Sequence, residues 1–130
     1  MRGIYPGRMT LIRLLTLAAL MGWNVSEGFA PRYAPHVMEQ VARNRGMPRV
    51  GCMISSPTLP LGSWVYVWGV RSGVLRHCRI TDVSKSEDRK RHIRTKRIVE
   101  LSFDAALEIC GIEYIDSQSK ECPVLVIGKP

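Results

Sequence analysis

No two cysteines in this chain are spaced Cys-x-x-Cys, which removes the common structural zinc arrangements. No apolar run reaches the roughly 18 residues that a membrane-spanning helix needs. There is no internal repeat and no low-complexity tract, so solenoid and fibrous architectures are excluded. Acidic side chains are also scarce: 11 Asp/Glu stand against 19 Lys/Arg, for a formal net charge of +8. A surface so charged attracts polyanions such as nucleic acid, acidic membrane or anionic wall polymer. The basic residues lack interleaved aromatics and any nucleic-acid-binding motif, so no nucleic acid partner is expected.

What the sequence does hold is enough for one domain of 130 residues. Arg8 and Arg13 precede an apolar run at residues 14–23, a basic start followed by a stretch suited to a secretory signal peptide. Ser26 and Gly28 put small residues at −3 and −1, so residues 1–28 read as a signal peptide cleaved after Gly28. No Cys closely follows the run, so there is no lipid attachment site. The expected location is secreted or periplasmic, with no stable membrane span after cleavage.

Residues 29–49 read as a helical lead-in. Pro35 fits a first helical position, Val37, Met38 and Val41 recur at helical spacing, and Gly46 ends the helix. Strands are expected at residues 50–55, 63–70, 74–81, 98–101 and 123–127, the last of them central. Trp64, Tyr66 and Trp68 share one face of their strand; an aromatic stripe of this kind packs in a core or stacks on sugar rings. Residues 83–97 read as a basic loop with seven Lys/Arg against Glu87 and Asp88. Ser102 is a good N-cap for a short helix that Gly111 stops.

The four cysteines are Cys52, Cys78, Cys110 and Cys122. An even count in a small exported domain points to two disulfides, with three possible pairings. Cys52–Cys78 and Cys110–Cys122 are favoured because each joins neighbouring segments. No metal site and no cofactor is expected.

Three segments, in order, carry a resemblance. They are Thr58-Leu59-Pro60-Leu61-Gly62-Ser63, then Arg79-Ile80-Thr81-Asp82, then Ile98-Val99-Glu100-Leu101-Ser102 with Ala105-Ala106 and Cys110-Gly111. Together they resemble the rare lipoprotein A (RlpA-like) family across residues 58–111. The resemblance implies a mainly β fold: a six-stranded double-psi β-barrel over residues 50–130, related to barwin and the first domain of expansins. An N-terminal helix would precede it, and a short helix would stand before its last strands. Some members of that family are peptidoglycan lytic transglycosylases, which cleave the glycan strand by acid/base chemistry without water and leave an anhydro sugar.

On that resemblance Asp82 matches the family's acidic strand-end position and is the candidate general acid/base. Glu100 stands where the family has Asp and keeps the carboxylate on a longer arm. The chain also departs from the pattern. Pro57 occupies the position of the family's histidine. The upstream acidic residue has no counterpart, since the region around Gly46 and Met47 holds Arg45 and Arg49. Val83-Ser84-Lys85 replaces the family's Arg-Gly-Pro after the aspartate. The expected function is therefore a cell-envelope module that binds peptidoglycan or an associated anionic polymer, with residual lytic transglycosylase activity as its enzymatic version. Arg79, Lys85, Arg91, His92 and Arg94 are the expected ligand contacts. The alternative is a non-enzymatic secreted protein that binds a protein or polyanion through its basic loop.

Overall fold

A computed structural model describes residues 8–111 and 122–129. Residues 1–7 of the expected signal peptide and residues 112–121 and 130 of the expected barrel domain lie outside the described residues. The period-two patterning of the sequence sets the strands. In β3 (Trp64–Gly69), Val65 and Val67 turn inward and are buried, while Trp64 faces solvent. In β4 (Leu75–Val83), Cys78 and Ile80 are buried on the same inner side and His77 is exposed. β2 (Met53–Ser56) is buried throughout, β5 is the two-residue strand Glu100–Leu101, and β6 (Cys122–Gly128) is an inner strand.

A sixth strand comes from a segment read as part of the signal peptide. Asn24–Ala30 forms β1 and pairs antiparallel with β6 along its whole length, from Asn24 opposite Gly128 to Ala30 opposite Cys122. The sheet order is β1-β6-β3-β4-β2-β5; among the described strand pairs β2–β4 is parallel and the others are antiparallel. This mixed sheet curls into a half-barrel. Its two edges meet through backbone hydrogen bonds: Phe29 N donates to Lys96 O (2.8 Å), Ile98 N to Phe29 O (3.2 Å), Leu101 N to Pro31 O (2.9 Å) and Tyr33 N to Leu101 O (2.8 Å). Gly28 permits the approach, because a Cβ there would lie 2.4 Å from Lys96 O.

Four helices complete the described fold. α4 (Phe103–Cys110) starts where expected: the Ser102 hydroxyl accepts from Ala105 N at 3.3 Å. Its Ala105, Ala106 and Ile109 join Ile54, Val67, Ile80, Leu101 and Val124 in the main core. α2 (Val37–Asn44) begins two residues later than Pro35 suggests, because His36 takes a left-handed conformation (φ 66°) and serves as its N-cap residue. Met38 and Ala42 of α2 pack with Met53 in a second, smaller core. α1 (Arg8–Met21) leaves Leu17, Leu20 and Met21 exposed, and among the described residues no helix is long and apolar enough to cross a membrane.

Residues 86–94 are not loop but α3 (Ser86–Arg94). Its charges are ordered along the helix: Glu87 and Asp88 lie in the first turn, and Arg91, His92 and Arg94 in the last, so both ends suit the helix dipole. Both favoured disulfides are present, Cys52–Cys78 and Cys110–Cys122, with Cα separations of 4.6 and 5.9 Å.

Cleavage after Gly28 would remove five of the seven residues of β1 and leave the edge of β6 unpaired. A chain starting at Phe29 is expected to melt ~10 °C or more below a chain starting at Trp23, because several ladder hydrogen bonds, each contributing about 1 kcal/mol, are lost. Thermal unfolding of the two purified forms measures this directly. Equal melting temperatures would show that β1 contributes nothing to the sheet.

Candidate active site

The strand register puts three polar residues in a row. Ser55 of β2 lies opposite Asp82 of β4 on one side and Glu100 of β5 on the other. Neighbouring strands are about 4.8 Å apart, so the two carboxylate-bearing residues stand roughly 10 Å apart along the row. A β-bulge makes this possible. Ile54 pairs with Ile80, but Ser55 pairs with Asp82, so Thr81 is the extra residue. Thr81 is buried against α2, where its hydroxyl reaches Met38 Sδ at 3.2 Å, and the bulge re-aims Asp82 toward Tyr33.

Both oxygens of Asp82 are engaged. Tyr33 donates its phenol to Oδ2 at 2.6 Å, and Arg45 reaches Oδ1 through Nε (2.9 Å) and a terminal nitrogen (2.7 Å). Charge-assisted bonds of this kind fix a carboxylate as an acceptor. Tyr33 is itself held by the closing segment of the sheet. Burial, and then its bond to Asp82, push its phenol well above the usual range, so it remains a proton donor to the carboxylate.

Glu100 is placed differently. Burial pushes its carboxyl above the ordinary glutamate range, and Asp82 adds to the rise, while His92 and Arg97 oppose it. It therefore keeps its proton to higher pH than an exposed glutamate. His92 arrives from the buried side of α3, with Nε2 3.7 Å from Glu100 Oε1 and Nδ1 2.9 Å from the Ser84 hydroxyl. A carboxyl whose proton affinity is raised, an imidazole beside it and an acceptor carboxylate across the row form an arrangement suited to general acid/base chemistry.

The structure thus divides the residues picked out by sequence. Asp82, Glu100 and His92 come together. Lys85 stands at the start of α3, Arg91 pairs with Asp88 at 3.0 Å, and Arg94 ends the helix; all three are exposed on the rim next to His92. Arg79 lies apart, over the Trp64 ring at 5.8 Å, and donates through Nε to Gly62 O. Tyr33, Arg45, Ser55 and Ser84 were not picked out as site residues. Arg45 stands in the region where the resemblance calls for an acidic residue, which is the only signal that pointed to it. No local pattern marks Tyr33. Among the described residues, no group of three His, Cys, Asp or Glu is placed to hold a metal ion. The sequence matches no protein-family model and no curated protein.

Two outcomes follow from this geometry. Tyr33→Phe leaves Asp82 Oδ2 without its donor and is expected to destabilise the fold by about 1 to 2 kcal/mol, read from urea unfolding. For Glu100 the folded state binds the proton more tightly than the unfolded chain does. At low pH both states are protonated and the group contributes nothing. As pH rises through the unfolded and then the folded value, the native state loses stability, and the loss levels off above the folded value. Glu100→Gln removes that loss, so the melting temperature of the variant relative to the parent chain should rise as pH climbs through and above the ordinary glutamate range of about 4.3, then level off. A difference that is flat or falls across this window would show that Glu100 is not desolvated.

Proposed function

We propose that this chain is a secreted or periplasmic cell-envelope module of the rare lipoprotein A type. In this reading its curled sheet is a double-psi β-barrel, and it engages peptidoglycan or an associated anionic polymer at the Asp82–Glu100 row. The observation that carries the reading is the in-register set Asp82, Ser55 and Glu100, with Tyr33 and Arg45 on the first carboxylate and His92 beside the second. The histidine that the resemblance requires is missing at Pro57, and His92 supplies an imidazole from a different element. The exposed Arg89, Lys90, Arg91 and Arg94 of α3 form a cationic rim on which an anionic strand would lie.

In the lytic reaction Glu100 would protonate the bridging glycosidic oxygen as the bond from the sugar's anomeric carbon breaks. Asp82 would face the positive charge that develops on that carbon. A hydroxyl of the same sugar then attacks the carbon, closes the anhydro ring and gives its proton to His92. Passing that proton to Glu100 restores the starting state.

The test uses purified protein and peptidoglycan sacculi, with co-sedimentation and anhydro-muropeptide release measured together. The parent chain should pellet and release product. Glu100→Gln should lower release at least ~100-fold and leave pelleting intact. Replacing Arg89, Arg91 and Arg94 by Ala should weaken pelleting, most visibly at low salt. Failure of the parent chain to pellet would sink wall binding, and pelleting without release would sink the enzymatic role.

A further inference from the structure

We propose that the outer face of β3 and β4 carries a second binding groove, built for an extended sugar chain that bears carboxylates. The polymer class rests on the wall-binding reading above, whereas the groove rests on its own geometry. Four rings line it in sequence. Trp23 stacks on Tyr66 with centroids 6.5 Å apart and planes within 13°, Tyr66 stacks on His77 at 4.5 Å and 19°, and His77 meets Trp64 at a tilt of 37° with centroids 4.8 Å apart. The register explains this, since Trp64 and Tyr66 are paired across the strands with Arg79 and His77 on one face. Trp23 joins from the residue before β1 and is present only in a chain that is not cut after Gly28. Trp68, which shares that face in sequence, is buried and takes no part.

The space over these rings is a groove of about 820 Å³. A cation stands by each end of the ring row, Lys129 within the groove's lining and Arg79 just outside it. Lys129 Nζ lies 6.0 Å from the Trp23 ring centre, and the Arg79 guanidinium 5.8 Å from that of Trp64. Among the described residues that line it, none is Asp or Glu. Trp64 remains 43% exposed, so its ring is available to a ligand. Partial desolvation by its neighbours lowers the proton affinity of His77, which favours an uncharged ring lying between Tyr66 and Trp64. Apolar C–H faces of sugar rings suit a floor of this kind, and a positive charge at each end selects a chain with anionic substituents. An oligomer of neutral sugars would use the floor and leave both cations unanswered.

The groove is separate from the Asp82–Glu100 row, so the two can be tested apart. Full-length protein is titrated by calorimetry with soluble glycan strands stripped of peptide, which carry one carboxylate per disaccharide, and with neutral N-acetylglucosamine oligomers. The parent chain should bind the acidic strands more tightly than the neutral oligomers. Trp64→Ala should weaken binding about tenfold, and Trp64→Phe, which keeps a ring, should stay within about threefold of the parent. Equal binding by Trp64→Ala would overturn the groove, as would the absence of any binding to soluble strands. Equal affinity for neutral oligomers would overturn its selectivity for carboxylates. Pelleting with intact sacculi is scored separately. A chain that pellets while Trp64→Ala binds strands normally leaves the wall-binding reading standing and removes only the groove.

Discussion

The structure depends on the meeting of its two sheet edges. An edge strand presents unpaired backbone groups and needs cover. Here each edge covers the other, through the bonds that Phe29, Pro31 and Tyr33 make with Lys96, Ile98 and Leu101. The same bonds that curl the sheet also fix the path of residues 29–33. That path delivers the Tyr33 phenol to Asp82, 49 residues further along the chain. Closure of the fold and assembly of the site are one event.

The site shows a division of labour set by environment. Its two carboxylates stand on the same row, yet one is held by a guanidinium and a phenol while the other is desolvated beside an imidazole. Two like groups thus meet unlike surroundings within one row. The basic helix then has two faces with two purposes. His92 points inward to Glu100, and the arginines around it point outward.

Much of the frame was legible in the sequence because its signals are local. The β-branched and aromatic alternation of residues 63–70 gave β3, and Ser102 with Gly111 gave both ends of α4. The cysteine pairing followed from segment neighbourhood. β1 was hidden because Asn24-Val25-Ser26-Glu27-Gly28-Phe29-Ala30 is mixed in character and mostly exposed, and its ladder is made with β6, about 100 residues further along the chain. α3 was hidden because charge density masked a helical ordering of those charges. Of the site, Asp82 and Glu100 were visible through motif resemblance, but their shared row requires the β4-β2-β5 neighbourhood and a bulge, neither of which is encoded locally. Tyr33 and Arg45 enter only through the tertiary path.

The pairing of β1 with β6 joins Asn24 to Gly128. In terms of the order of synthesis, the first strand made must wait for the last. At roughly 5–20 residues per second, β1 spends several seconds without its partner. Long-range pairings of this kind also fold slowly once they can form. The sheet therefore stays unclosed until residue 128 has been made. The sheet's topology thus acts as a timer on its own closure.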